Sequence, residues 1–353
     1  MVEVMRLVLI GDGESPHLLK WARALAPRVE LWAASSRGFL PGFDACLPPE
    51  RRLALHTNPR HAGGNVAVLA ELPRLMSWLR RVDADWLHAH YLTSHGTLAW
   101  AAKRLGGLRA QLVGSAWGSD ILVAPARNRL MRLLTRRVLR ACTLCTSDAH
   151  FMTERMQELG AGEVMTFPFG LESLPPPPGP KSPWRCFANR GLEPIYRPER
   201  VLLAFAELQQ AQPEAELVVA NEGSLRRLLE AQAKARGLHV RFVGRLGSEA
   251  QAREYAAARW YFSLPESDST SVSVLEAMAH GCLPVLSDLP ANRELARAGA
   301  GVLIEGEPLV PRMQALLPLA DAHGLALHRW VAEHALFPPA VAGFVQRLHE
   351  LTR

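Results

Sequence analysis

Residues 267–281 read SDSTSVSVLEAMAHG and place two carboxylates, Asp268 and Glu276, eight positions apart with a hydroxyl-rich run between them. Apolar RWYFSLP precedes the run and VLEAMA follows it, so the hydroxyls fall at a strand-to-helix junction. The first amides of a helix have no intrahelical acceptor, and its N-terminus attracts anions. Small residues let a ligand approach that backbone closely. The pattern therefore predicts a phosphate-binding helix start at Thr270, Ser271, Val272 and Ser273, with Ser271 or Ser273 as its cap. Glu276, expected in the first turn, would repel a diphosphate if turned inward and suits the diol of a ribose instead.

These residues need a frame to hold them. RLVLIGDG, VELWAAS, ADWLHAHY, AQLVGSAWGSD, LCTSDAH and VMTFPFGLE read as strands, with helical patterns between them. Beyond residue 184 the alternation restarts with RCFANRG, AELVVANEG, HVRFVGRLG, RWYFSLP and CLPVLSD. Such alternation predicts βαβ units and parallel sheets. LPPPPGPKSPW, at 174–184, reads as a stiff linker. The expected architecture is α/β: two Rossmann-like, doubly wound domains facing a cleft. The first spans 1–175, the linker 176–183 and the second 184–332; a helix over 333–353 packs back towards the first domain. Ligands of such sheets bind at the carboxyl ends of the strands, so the active site is expected there, between the halves.

Composition narrows the function classes. Apolar content of 48% and charged content of 21% are those of an ordinary globular protein. No apolar run is long enough to span a bilayer, and the start MVEVMRLVLIGDG lacks the basic lead of a signal peptide, so a cytoplasmic location is expected. Five scattered cysteines argue against a disulfide framework, and Cys142 and Cys145 read as buried thiols rather than zinc ligands. DAD, at 83–85, has the look of a metal motif but precedes its strand, so no metal is expected. GDGESPH is not a dinucleotide fingerprint. RNRLMRLLTRRVLR, at 127–140, predicts an amphipathic basic helix with Arg129, Arg132, Arg136 and Arg140 on one face and Leu130, Leu133, Leu134 and Val138 away from it. It reads either as a solvated surface helix or as a contact with an anionic membrane, peripheral and on the inner face, whereas nucleic acid is not expected.

The stretch SLPESDSTSVSVLEAMAHGCLPVLSDLPANREL closely resembles family 4 of the retaining glycosyltransferases, which have the two-domain GT-B architecture and an E-x7-E motif. HAHYLTSHG, LVGSAWGSD, FPFGLE, NRGLEPIYR, VVANEGSLRRLLEAQA and VRFVGRLGS extend the likeness along most of the chain. Here the motif is D-x7-E, with serines at 269 and 271 where the family has glycines. The resemblance implies a nucleotide-sugar donor, with Glu276 at its ribose, Asp268 beside the transferred sugar and Thr270, Ser271, Val272 and Ser273 under the distal phosphate. Arg190, and Arg197 in place of the family's lysine, would stabilise the leaving diphosphate without a metal or other cofactor. Gly244, Arg245 and Leu246 match the loop against the nucleobase, and Gly11 and Gly13 the first loop of the N-terminal half.

One position departs from the family. Where many members carry a histidine that contacts the sugar, SAWGSD has Trp117, whose ring can stack on a sugar face. Asp120 or His90 would then supply the polar contact, with His88 on the opposite face as a core residue; His17 faces the acceptor or packs. The expected function is retaining transfer of a hexose-type sugar to a glycan or lipid-linked hydroxyl acceptor in bacterial envelope or exopolysaccharide synthesis. A UDP sugar ranks ahead of a GDP sugar as donor. A GT-B sugar-nucleotide epimerase and a catalytically weak nucleotide-sugar-binding subunit are the alternatives.

Overall fold

The strands begin where the apolar runs begin. In the computed structural model, which describes residues 4–57, 69–299, 301–306 and 308–352, RLVLIG forms β1 (Arg6–Gly11) and its last five residues are all buried. β2 (Glu30–Ser35), β3 (Arg52–Ala54), β4 (Trp86–His90), β5 (Gln111–Ser115), β6 (Leu144–Ser147) and β7 (Val164–Thr166) complete a parallel sheet in the order β3-β2-β1-β4-β5-β6-β7. Burial on both faces explains why these strands read as continuous apolar runs rather than alternating ones. The edge strand β3 is the one the sequence pattern misses: it has three residues and buries only Leu53.

A second unit repeats the plan. β8 (Arg185–Ala188), β9 (Glu216–Ala220), β10 (Val240–Gly244), β11 (Trp260–Ser263), β12 (Leu283–Leu286) and β13 (Leu303–Ile304) form a parallel sheet in the order β10-β9-β8-β11-β12-β13. In each sheet the winding reverses beside its first strand, between β1 and β4 and between β8 and β11. That reversal is where a doubly wound sheet opens a crevice at its strand ends.

The units divide differently from the expected boundaries. The first comprises residues 1–167 together with 337–353, and the second residues 168–336. The proline run 176–183, expected as a stiff linker between domains, therefore lies within the second unit. Lys181 Nζ donates to the carbonyls of Tyr255 (2.9 Å) and Ala258 (2.7 Å), and Trp260 Nε1 donates to the Pro183 carbonyl at 2.8 Å. These contacts strap the run onto the second unit. The chain enters and leaves that unit side by side, Leu171 bridging Leu336. A Cβ on Gly170 would lie 2.0 Å from the Ala335 carbonyl oxygen, so only glycine fits there.

The final helix, Phe337–Thr352, belongs to the first unit rather than beginning at residue 333. Its Phe337 and Phe344 rings stand edge-on to Trp21, with centroids 5.0 and 5.4 Å away. Arg347 grips Glu163 with two parallel hydrogen bonds of 2.7 and 2.8 Å. The helix Arg129–Ala141 buries Thr135, Val138 and Leu139. Leu130 and Leu133, expected away from a solvated arginine face, are instead exposed. Cys142 and Cys145 are buried free thiols, as are Cys186 and Cys282.

Candidate active site

The second unit gathers its chemistry at the switch point. Arg190 follows β8, and the loop 264–271 leads from β11 into the helix Val272–Ala279. The Arg190 guanidinium donates to Asp268 Oδ2 at 2.7 Å, to Ser271 Oγ, and more weakly to Ser273 Oγ at 3.4 Å. It also lies over the Tyr196 ring, 4.5 Å from the centroid. Burial raises the Asp268 carboxyl above its ordinary range, and Arg190 opposes the rise.

Ser271 occupies the cap position of the helix but its hydroxyl makes no cap bond; it accepts from Arg190 instead. The first helical carbonyl to be used is that of Ser271, which accepts from Val274 (3.1 Å) and Leu275 (3.2 Å). The amides of Val272 and Ser273 precede these bonds, at the start of the helix where donors lack intrahelical partners. Ser269, Thr270 and Ser271 are buried, so the run packs as a preformed loop.

Glu276 lies in the second turn of this helix rather than the first, being the fifth residue from Val272. Its Oε2 is fixed by Tyr255 Oη at 2.9 Å and Gln251 Nε2 at 3.1 Å. Asn189 Nδ2 donates to Tyr255 Oη at 2.8 Å, and Asn189 Oδ1 accepts from Tyr261 Oη at 2.6 Å. Tyr261 Oη also reaches Ser273 Oγ at 2.9 Å. Burial raises both phenols, so they stay protonated and donate. Arg190, Asp268, Ser271, Ser273 and Glu276 are thereby joined through Asn189 and two tyrosines. The sequence reading missed those three residues. The chain has only four tyrosines, and Tyr196, Tyr255 and Tyr261 all fall here, which was the available signal.

Arg197 does not join this cluster. It stands at positive φ (47°) ahead of the helix Pro198–Ala211 and pairs with Glu199 and Glu266, at 2.5 and 3.1 Å. Gly244 closes β10 at φ +71°, where a Cβ would crowd Glu222 Oε1 at 2.9 Å. Arg245 beyond it is exposed, and Leu246 packs against the core.

The first unit assembles a separate set at its own switch point. Gly11 ends β1, and Gly13 donates from its amide to Ser35 Oγ at 2.8 Å. A Cβ on Gly13 would come within 2.5 Å of the Gly38 carbonyl oxygen, so this glycine serves the packing of its own loops. Trp117, just past β5, donates from Nε1 to His90 Nδ1 at 3.3 Å, and its ring stands nearly perpendicular to that of His17 at 5.3 Å.

His90 and His88 share a face of β4, their rings 4.2 Å apart, as a strand's two-residue period requires; they do not lie on opposite faces. Burial pushes His88 down to about 3 and His90 well below its ordinary value, so both are neutral imidazoles. His90 Nε2 and His88 Nδ1 are buried without a hydrogen-bond partner.

Asp120 is a positioning residue in this arrangement. Fully buried, it accepts from the Leu92 amide (2.8 Å) and the Trp117 amide (2.9 Å) and so ties the loops after β4 and β5 together. Burial raises its pKa to about 6 against the pull of those amides. Asp83 and Asp85 precede β4, at the opposite end of the strands from His90. Asp85 caps β1 by accepting from the Arg6 amide at 2.7 Å. Among the described residues no cluster of three or more His, Cys, Asp or Glu side chains could hold a metal ion.

Residues 181–314 match the family model of glycosyl transferases group 1, and residues 6–149 that of the glycosyl transferase 4-like proteins. Each half of the chain thus matches a glycosyltransferase family model. No curated protein matches the sequence. Solved glycosyltransferases share the fold over the whole chain. Anabaena HepE in complex with UDP aligns with a TM-score of 0.76 at 12% identity, over 98% of this chain and 100% of its own. Sucrose-phosphate synthase from Thermosynechococcus elongatus aligns at 0.75 and 14% identity, over 98% and 99%. The lipopolysaccharide outer core galactosyltransferase WaaB, in its apo form, aligns at 0.64 and 13% identity, over 98% and 95%. At these identities the likeness is one of GT-B fold.

Proposed function

We propose that this glycosyltransferase moves a sugar from a UDP sugar to a hydroxyl of a glycan or lipid-linked acceptor, with retention at the anomeric carbon and without a metal. GDP is the second choice of nucleotide. The observation that carries the reading is the Arg190–Asp268–Ser271–Ser273 cluster at a helix start, with Glu276 one turn further along and held by Tyr255 and Gln251.

In this reading the helix start and Arg190 receive the diphosphate. A guanidinium and free amides aimed at the departing phosphate stabilise the charge that develops as the glycosidic bond breaks. Glu276 takes the ribose hydroxyls with an oxygen already fixed in place. Asp268 faces the transferred sugar and, until donor arrives, neutralises Arg190. HepE has been crystallised with UDP and with UDP-glucose, which favours the uridine donor here. WaaB is a lipopolysaccharide galactosyltransferase, which favours an envelope or exopolysaccharide acceptor.

In the other unit Trp117 supplies an aromatic face towards the acceptor sugar. Neutral His90, its Nδ1 occupied by Trp117, orients that indole rather than taking a proton from the acceptor. Calorimetric titration with UDP and GDP, followed by a donor-hydrolysis assay with UDP-glucose, tests the reading. UDP binding with slow hydrolysis supports it; binding of neither nucleotide overturns it, and UDP release with isomerised sugar would favour an epimerase.

A further inference from the structure

The helix Arg129–Ala141 presents an outward face that a merely solvated helix does not need. Thr135, Val138 and Leu139 set its inward side. With a helical step of 100° per residue, the opposite side is centred on Leu133 and Arg137, flanked by Leu130, Arg129 and Arg140. Leu130 is 68% exposed and Leu133 49% exposed, one turn apart. Arg129, Arg132, Arg137 and Arg140 are exposed around them, and among the described residues none of the four is paired with a carboxylate. From Ile121 to Ser147 the chain has no acidic residue.

Several helix arginines elsewhere in this protein are balanced. Arg226 lies between Glu222 and Glu230, Arg155 meets Glu158, and Arg293 meets Asp288. What marks this face is the clustering: its four cations around two exposed leucines, with no acid in the surrounding sequence. The Asn128 side chain caps the helix by accepting from the Met131 amide at 2.8 Å, so the face is presented on a firmly started helix.

We infer that this face docks on an anionic lipid bilayer, with the arginines on the headgroups and Leu130 and Leu133 entering the acyl boundary. Cations alone would suit any polyanion. The leucines decide between them, because nucleic acid or an acidic peptide gives two aliphatic side chains nothing to bury in, whereas a bilayer does. Among the described residues no helix is long and apolar enough to cross a membrane, so the contact is peripheral. The inference does not depend on the donor reading, since docking needs no nucleotide.

Co-sedimentation of the full chain with vesicles of phosphatidylcholine alone, and of phosphatidylcholine mixed equally with phosphatidylglycerol, tests it. Binding is expected only to the anionic vesicles and should weaken as salt rises. R129Q/R132Q/R137Q should lower partitioning about a hundredfold, roughly fivefold per arginine. L130S/L133S keeps the charge and should still lower it at least tenfold, since two aliphatic side chains lose their burial. R132K/R137K should retain binding, which separates charge loss from misfolding. UDP titration of the same samples should be unchanged, so a failure of docking and a failure of the donor reading are told apart. Equal binding to neutral vesicles, no binding to anionic ones, or an unaffected leucine variant overturns the inference. So does a self-association that L130S/L133S abolishes, which would assign the face to a second copy.

Discussion

Arg190 and Asp268, 78 positions apart in sequence, meet in a 2.7 Å ion pair at the mouth of the second sheet. The pair makes the cluster self-neutralising before a ligand arrives. An incoming diphosphate would compete with Asp268 for the guanidinium. D268N should therefore bind UDP more tightly than wild type, by about 1 kcal/mol, the order of one charge interaction in a half-buried site. Its turnover of UDP-glucose should fall, because Asp268 is read as facing the sugar. Calorimetry and a UDP-release assay check the two halves; weaker UDP binding by D268N would refute the competition.

Glu276 is expected to carry nucleoside affinity. E276A should cost about 2–3 kcal/mol of UDP binding, the order for charged hydrogen bonds lost from a buried site. Y255F removes the hydroxyl that meets Glu276 Oε2 at 2.9 Å and should cost less, about 1 kcal/mol. An E276A protein with wild-type UDP affinity would remove the carboxylate from the ribose.

Asp120 gives a stability signature with a definite sign. Its carboxyl titrates near 3.8 in an unfolded chain and about 6 here, so between those values the folded state binds more protons. Stability from this group is greatest below pH 3.8 and falls as pH rises to about 6, by roughly 3 kcal/mol. D120N loses that dependence. The Tm of D120N relative to wild type should improve as pH rises from 4 to 6, and a constant difference would show that Asp120 does not titrate there.

His88 works in the opposite direction. Held neutral with a pKa of about 3 against 6.5, it destabilises the fold as acid charges the unfolded chain. Its stabilisation is complete above pH 6.5 and is lost progressively towards pH 3. H88Q should flatten the acid limb of a pH–Tm curve, even if it lowers Tm throughout by disturbing the 2.6 Å bond to Ser115 Oγ. An acid limb identical to wild type would count against a neutral His88.

Trp117 tests the first unit. W117F keeps a ring but deletes the donor to His90 Nδ1, leaving a buried imidazole without a partner at either nitrogen. About 1–2 kcal/mol of stability should be lost, together with acceptor-dependent turnover, while UDP affinity stays the same. A drop in UDP affinity instead would tie Trp117 to the donor.

The βαβ alternation was legible because buried parallel strands leave continuous apolar runs such as RLVLIG and WYFS. The helix start at 270–273 was legible because hydroxyls between an apolar strand and VLEAMA have few other uses. What the pattern could not convey was side-chain reach. Arg197 is near Arg190 in sequence, yet its fork is spent on Glu199 and Glu266. Asp120 looked like a contact for sugar, but its oxygens serve two backbone amides. The proline run suggested a stiff linker between domains because prolines are stiff; half-buried Lys181 beside them, which anchors the run to the second unit, gives no compositional signal.

The return of Phe337–Thr352 to the first unit has a consequence for synthesis of the chain. The second unit is contiguous and can close as soon as residue 336 has left the ribosome. The first, although translated earlier, lacks the partners of Trp21 and Trp86 until Phe337, Phe344 and Thr352 emerge. The half that starts first is the half that finishes last. A stop codon before residue 337 would therefore leave its damage at the opposite end of the sequence, as an open apolar face around Trp21.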